Sequence, residues 1–335
     1  MFMMRRFVFV CLLLPALRGE VRQVVGANYY HTFSRSHPVL ARIRPGDTVI
    51  TKTVDSAGFD YQGVRRTKTH GNPLTGAFYI EGAEQGDALA VRLRKLRLNR
   101  ATGYSSYRLG LAALAPESIE GLYPNRYKDD VVLPGRSDLV PWILDLERNT
   151  VRPKDPIGGR IPLEFPASPM LGCIGVAPAG DFTPTSGPAG AYGGNLDYNE
   201  VREGATVFLP VYHPGGLLFF GDGHALQGDG EPTGSGVETS LDVEFTVDLR
   251  KAAHLSGPRL ENDEFLVTIG SQPEFSSSLD RALRLATSDM VRWLVDDYKL
   301  EAPAAHLLIG AQAQYDVITV DGSMALKIPK RYLIR

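Results

Sequence analysis

The stretch 241–250 constrains the fold more than any other part of the chain. Leu241, Val243, Phe245, Val247 and Leu249 alternate without a break with Asp242, Glu244, Thr246, Asp248 and Arg250. Successive side chains on a strand point to opposite faces, so this pattern describes a strand with one buried and one wet face. Strands of that kind belong to antiparallel sheets packed on one side. Glycine and proline number 35 and 23 among 335 residues. That fits a turn-rich β body better than a helical bundle.

Other segments agree. Residues 48–54 are β-branched and read as a strand that delivers Asp55 at its end. Leu89, Val91 and Leu93 alternate with Ala90, Arg92 and Arg94, and the phase slips by one at Lys95-Leu96, which predicts a β-bulge. Residues 207–212 form an apolar strand, and 315–320 a final one. Residues 145–166 and 178–194 read as loops, and 112–122 as a short helix. Helical spacing comes late. Ser277-Ser278-Leu279-Asp280 resembles a capping box, Leu279 to Leu294 repeats apolar residues at helical intervals, and Pro303 suits the first turn of a second helix through Ile309. Met290 and Trp293 are core positions. The expected fold is α+β and mainly β. An antiparallel β-sandwich or jelly-roll-like body spans about 20–250, and a C-terminal α/β part over 251–335 carries two helices.

The first 19 residues read as a signal peptide. Arg5-Arg6 precede a short apolar run, and Gly19 is the small residue before a cut. This implies export, periplasmic or secreted; without cleavage the segment is an anchor, or the product is cytoplasmic. Of the two cysteines, Cys11 lies in that segment, so Cys173 is alone in the mature chain and no internal disulfide forms. A net charge of −2 points to neither nucleic acid nor an anionic membrane as partner.

Residues 193–238 concentrate acids, asparagine and one histidine among glycines: Gly193-Gly194-Asn195-Leu196-Asp197, then Gly221-Asp222-Gly223-His224, then Gln227-Gly228-Asp229-Gly230-Glu231, then Ser235-Gly236-Val237-Glu238. Asp222 and His224 are two apart and share a face on an extended backbone. Carboxylates with an imidazole are the usual ligands of a catalytic dication. Such an ion lowers the pKa of a water and polarises a carbonyl, while a nearby acid moves protons. The plainer reading is a series of tight turns, which use the same residues. There is no G-x-S-x-G elbow, P-loop or dinucleotide fingerprint, and 222–231 lacks EF-hand spacing.

Several segments in order resemble the acetamidase/formamidase family. They are Asn72-Pro73-Leu74-Thr75-Gly76, residues 81–87, Gly172-Cys173-Ile174-Gly175-Val176-Ala177-Pro178, Gly193–Asp197 and 221–231. Gln85 departs from the family's usual proline, and the leader is unusual for it. The resemblance implies hydrolysis of a short-chain amide, formamide- or acetamide-like, to ammonia and a carboxylic acid by a β-rich homo-oligomer, dimer or larger. On that reading His224, Asp222 and Asp197 hold a divalent metal, with Asp55 as a fourth ligand. Zinc is the first choice and calcium the second. Glu231 is the general base and Glu84 the second candidate. Asn72, Asn195 and Glu81 contact the small amide. Two alternatives stay open: an amidase using Cys173 as nucleophile, and a non-catalytic β module that binds a cation or saccharide.

Overall fold

The computed structural model describes residues 19–106, 113–115, 117, 132–133, 136, 138–155, 163–271 and 278–333. Residues 1–18 of the leader fall outside these residues, as do seven of the eleven residues of the helix expected over 112–122. The fold is mostly β, in two large sheets that are almost entirely antiparallel, with two α-helices near the C-terminus.

The alternating stretch is the strand Leu241–Arg250, and it lies inside the nine-stranded sheet between Thr48–Lys52 and Ala88–Leu98. Its pairing shifts where Glu244 faces Lys95 and Phe245 faces Leu93, which leaves Arg94 as the extra residue of a bulge. That is the phase slip seen in the sequence, resolved by adding one residue so that Leu93 and Leu96 are both buried. The same sheet continues through Thr206–Pro210, Arg259–Glu261, Phe265–Gly270, Ser323–Pro329 and Gln314–Thr319.

The second sheet is built around Leu218–His224. This strand pairs with Met170–Val176, with Leu74–Ile80 and, at its end, with Glu238–Thr239. All seven of its residues are buried. The sheets meet through Phe78, Phe220 and Phe245, whose ring centroids lie 5.3–5.5 Å apart. Each such pair adds about 0.5–1.5 kcal/mol to the burial of its area.

Helix α1 is Leu279–Asp296 and α2 is Ala302–Gln312, with Pro303 in its first turn. Ala286, Met290, Trp293 and Leu294 pack on Leu266, Leu326 and Ile328. The cap differs from the expected box. Ser278 is the N-cap and accepts from Arg281 N at 3.2 Å, so Asp280 stands in the first turn, where it suits the helix dipole. Three segments are corrected. Ser323–Pro329 follows the strand expected to be last; it is buried on both faces and so shows no alternation. Thr150–Pro153 and Phe165–Pro166 are strands within an expected loop, and so are Ala189–Gly190 and Gly193–Asn195.

Candidate active site

Leu218–His224 brings Asp222 and His224 to the end of the second sheet. The edge-to-edge partner Glu238–Thr239 sets Glu238 opposite His224 in register. The Gly193–Asn195 strand, paired with Met170–Val176, leads directly into Asp197. Backbone conformation at the site is unusual. Asn72, Asp197, Asp222 and Glu231 all have positive φ, between 43° and 55°, although none is glycine. Such conformations persist where the surrounding fold imposes them, and they gather at functional sites. Two glycines make the approach of these groups possible. A Cβ on Gly172 would come within 2.5 Å of Asp197 Oδ1, and one on Gly236 within 2.5 Å of His224 Nδ1.

The result is a buried cluster of acids around one imidazole. His224 Nε2 lies 3.1 Å from Glu238 Oε1 and 3.6 Å from Asp222 Oδ1. Asp222, His224 and Glu238 form one group able to hold a metal ion, and Asp197, His224 and Glu231 form another. Among the described residues, Asp197 Oδ1, Asp222 Oδ1, His224 Nε2 and Glu238 Oε2 are buried without a hydrogen-bond partner. None of these acids pairs with a lysine or arginine there. Uncompensated buried polar atoms are costly, and these four belong to the two groups, sharing His224, that could hold a metal ion.

The electrostatics follow from the same crowding. Burial, and then the charge of Asp222, pushes Asp197 up to about 8. Burial also lifts Glu238, to about 7, against the pull of His224. Glu231 stands well above the ordinary carboxylate range, through burial and then Asp197. Burial opposes the charged form of His224, but Glu238 and Asp222 outweigh it and hold the imidazolium well above its usual range. These acids keep protons, or share them, unless a cation arrives to hold them ionised.

Above the cluster lies a cavity of about 260 Å³, lined by Ser56, Asn72, Tyr104, Asn195, Glu231 and Glu238 among others. This is below the usual range for drug-sized ligands, about 300–1,000 Å³, so it suits a small molecule.

With this geometry in view, the comparisons with known proteins carry weight. Residues 183–280 match the model of the Acetamidase/Formamidase family. An acetamidase from Yersinia enterocolitica superposes with a TM-score of 0.77 at 26% identity, covering 95% of this chain and 94% of that one. An acetamidase from Bacillus halodurans gives 0.76 at 27% identity, covering 93% and 98%. The resemblance to the acetamidase/formamidase family holds. A putative formamidase of Schizosaccharomyces pombe is 26% identical over 248 residues, 61% of this chain and 59% of its own length. A formamidase of Methylophilus methylotrophus is 26% identical over 236 residues, 58% and 57%. The matched part thus spans less than two thirds of these curated relatives.

The family-like segments do not all meet. Asp197, Asp222, His224 and Glu231 come together, and Asn72 and Asn195 line the cavity. Asn195 is largely committed within the protein: its Oδ1 accepts from Asn72 Nδ2 at 2.9 Å and from Cys173 Sγ at 2.7 Å, and its Nδ2 donates to Asp197 Oδ2. Asp55 is no ligand here. It accepts from the Ala57 and Phe59 amides and pairs with Arg100, so its oxygens are already used. Glu81 and Glu84 follow the far end of Leu74–Ile80 from Asn72. Seven residues at about 3.3 Å each separate them from the cavity end. Glu81 faces Arg44 and Glu84 faces Lys251, both at 3.6 Å on the surface. Cys173 is buried in the cluster's wall, 3.8 Å from Asp222 Oδ2, and burial with that acid raises its thiol well above the ordinary range. Two participants received no role from the sequence, Glu238 and Gln227. Glu238 stood in the acid- and glycine-rich segment Ser235–Glu238, and Gln227 three residues beyond His224.

Proposed function

We propose that this chain hydrolyses a short linear amide to ammonia and a carboxylic acid at a dication centre. The observation that carries the reading is a pair of metal-competent groups sharing His224 beside a small cavity, with four of their polar atoms buried and unpartnered among the described residues. The relatives named formamidase and acetamidase support the amide as substrate class. The oxygen and imidazole donors suit zinc, with Asp197, Asp222, His224 and Glu238 offering the atoms that would hold it. When bound, a dication supplies an acidified water and a polarised carbonyl.

The chain's own groups do the rest. Glu231 borders the cavity, and its raised pKa suits a base that takes a proton from water near neutral pH and returns it to the departing nitrogen. Asn72 retains its Oδ1 for the amide, while its Nδ2 donates to Asn195 and Cys173. The Asn72–Asn195–Asp197 hydrogen-bond chain keeps Asp197 oriented. The depth and raised pKa of Cys173 argue against a thiolate nucleophile. Export after cleavage near Glu20, and assembly into a homo-oligomer, belong to the same proposal; N-terminal sequencing and sedimentation test them. The deciding experiment is metal analysis of purified protein with ammonia release from formamide, acetamide and longer amides, before and after chelation and zinc return. Chelator-resistant activity that iodoacetamide abolishes would instead favour Cys173. Bound metal with no release from any amide would favour a binding module.

A further inference from the structure

A cation centre needs His224 to present one particular nitrogen, and the fold contains a device that selects it. His224 Nδ1 lies 2.7 Å from Gln227 Oε1. The Gln227 amide is itself oriented from its other end, where Nε2 donates to the main-chain carbonyl of Asp197 at 2.5 Å. A carbonyl only accepts, so the amide nitrogen must face Asp197 and the amide oxygen must face His224. That oxygen also only accepts, so Nδ1 carries a proton. Nε2 is then the nitrogen facing Asp222 and Glu238. Resting on the dication reading above, we propose that Gln227 is a positioning residue that locks His224 with Nδ1 protonated and Nε2 aimed at the acids, and that the Asp197 main chain sets the lock.

The surroundings leave the amide no alternative. Gln227 is buried. Turning its amide over would set oxygen against the Asp197 carbonyl and lose the hydrogen bond that Nε2 donates there. Gly236 closes on Nδ1 with only a hydrogen where any other residue would collide. Asp197 leaves the strand path with φ 45° where its carbonyl meets Gln227, and the same residue offers Oδ1 to the cluster. One residue therefore supplies an acid and, through Gln227, fixes which nitrogen of the histidine opposite faces the acids. The loop carrying Asp197 and the strand carrying His224 cannot move independently without breaking this link.

The test uses the full chain with 15N-labelled histidine. Metal-free protein should show a slowly exchanging Nδ1–H signal, assigned to His224 by its loss in His224→Asn. Gln227→Met removes both polar atoms at similar length. It should lose that signal and weaken zinc binding, measured by chelator competition, by about 10–100-fold. Gln227→Glu keeps an acceptor for Nδ1 and should keep the signal. A signal that survives in Gln227→Met, or zinc affinity unchanged there, overturns the lock. If Gln227→Met fails to fold, the wild-type protein decides alone: an Nδ1–H signal assigned to His224 supports the lock, and its absence overturns it. Wild-type protein that binds no zinc overturns the dication reading but not the lock, which the Nδ1–H signal in metal-free protein still judges.

Discussion

Asp55 and Asp222 are equally hidden carboxylates, 0% and 2% exposed, yet they do opposite things. Asp55 meets Arg100 and two main-chain amides, which offset part of the burial that raises its carboxyl. Asp222 meets a thiol at 3.8 Å and an imidazole at 3.6 Å, and its Oδ1 has no hydrogen-bond partner. Burial alone therefore does not identify a site. What separates the two is the partner set: a guanidinium and two amides hold Asp55, while an imidazole and a thiol face Asp222 and leave its Oδ1 without a hydrogen bond.

Five measurements would break or sharpen that contrast. The largest effect is expected from His224→Ala, which should abolish both stoichiometric zinc and ammonia release, since it takes a donor from each metal-competent group. An active, zinc-free variant would end the proposal. Glu231→Gln should keep zinc and fold while turnover drops by about two to four orders of magnitude. Near-normal turnover would make Glu231 a turn residue.

Stability tests the contrast directly. Asp55→Ala strands Arg100 in the interior and should cost about 3–5 kcal/mol. Asp222→Asn, compared by urea unfolding in chelator, should cost nothing or stabilise. Equal losses would erase the distinction.

The pH dependence has a definite sign. Unfolded carboxyls titrate near 4, as a rough reference. Native Asp197 and Glu238 are raised to about 8 and about 7. The native metal-free protein then holds more protons, and its stability falls as pH rises through that window. His224, also raised, adds in the same direction. Thermal melts in chelator should drop from pH 5 to pH 8, and zinc should flatten the slope. A rise with pH would contradict the cluster as described. The smallest effect is expected from Glu84→Gln on the exposed far turn: less than about 0.5 kcal/mol and unchanged turnover.

The sequence by itself determined the strand Leu241–Arg250, a bulge close to Lys95 and the two late helices. Each of these rests on contacts within one segment, where spacing of 2 or 3.6 residues sets the facing of a side chain. It also resembled a known family strongly enough to nominate the acids. Only the tertiary structure decided among them. Asp55 and Asp222 both stand beside glycine-rich turns, and nothing local distinguishes an acid that will meet Arg100 from one that will meet His224. Glu81 and Glu84 look as prominent in sequence as Glu231, but one strand's length carries them to the opposite end of the sheet. Glu238 and Gln227 join the site through a cross-strand register and a carbonyl thirty positions away. Those are long-range contacts, and the physics that makes them lies in how two sheets close on each other.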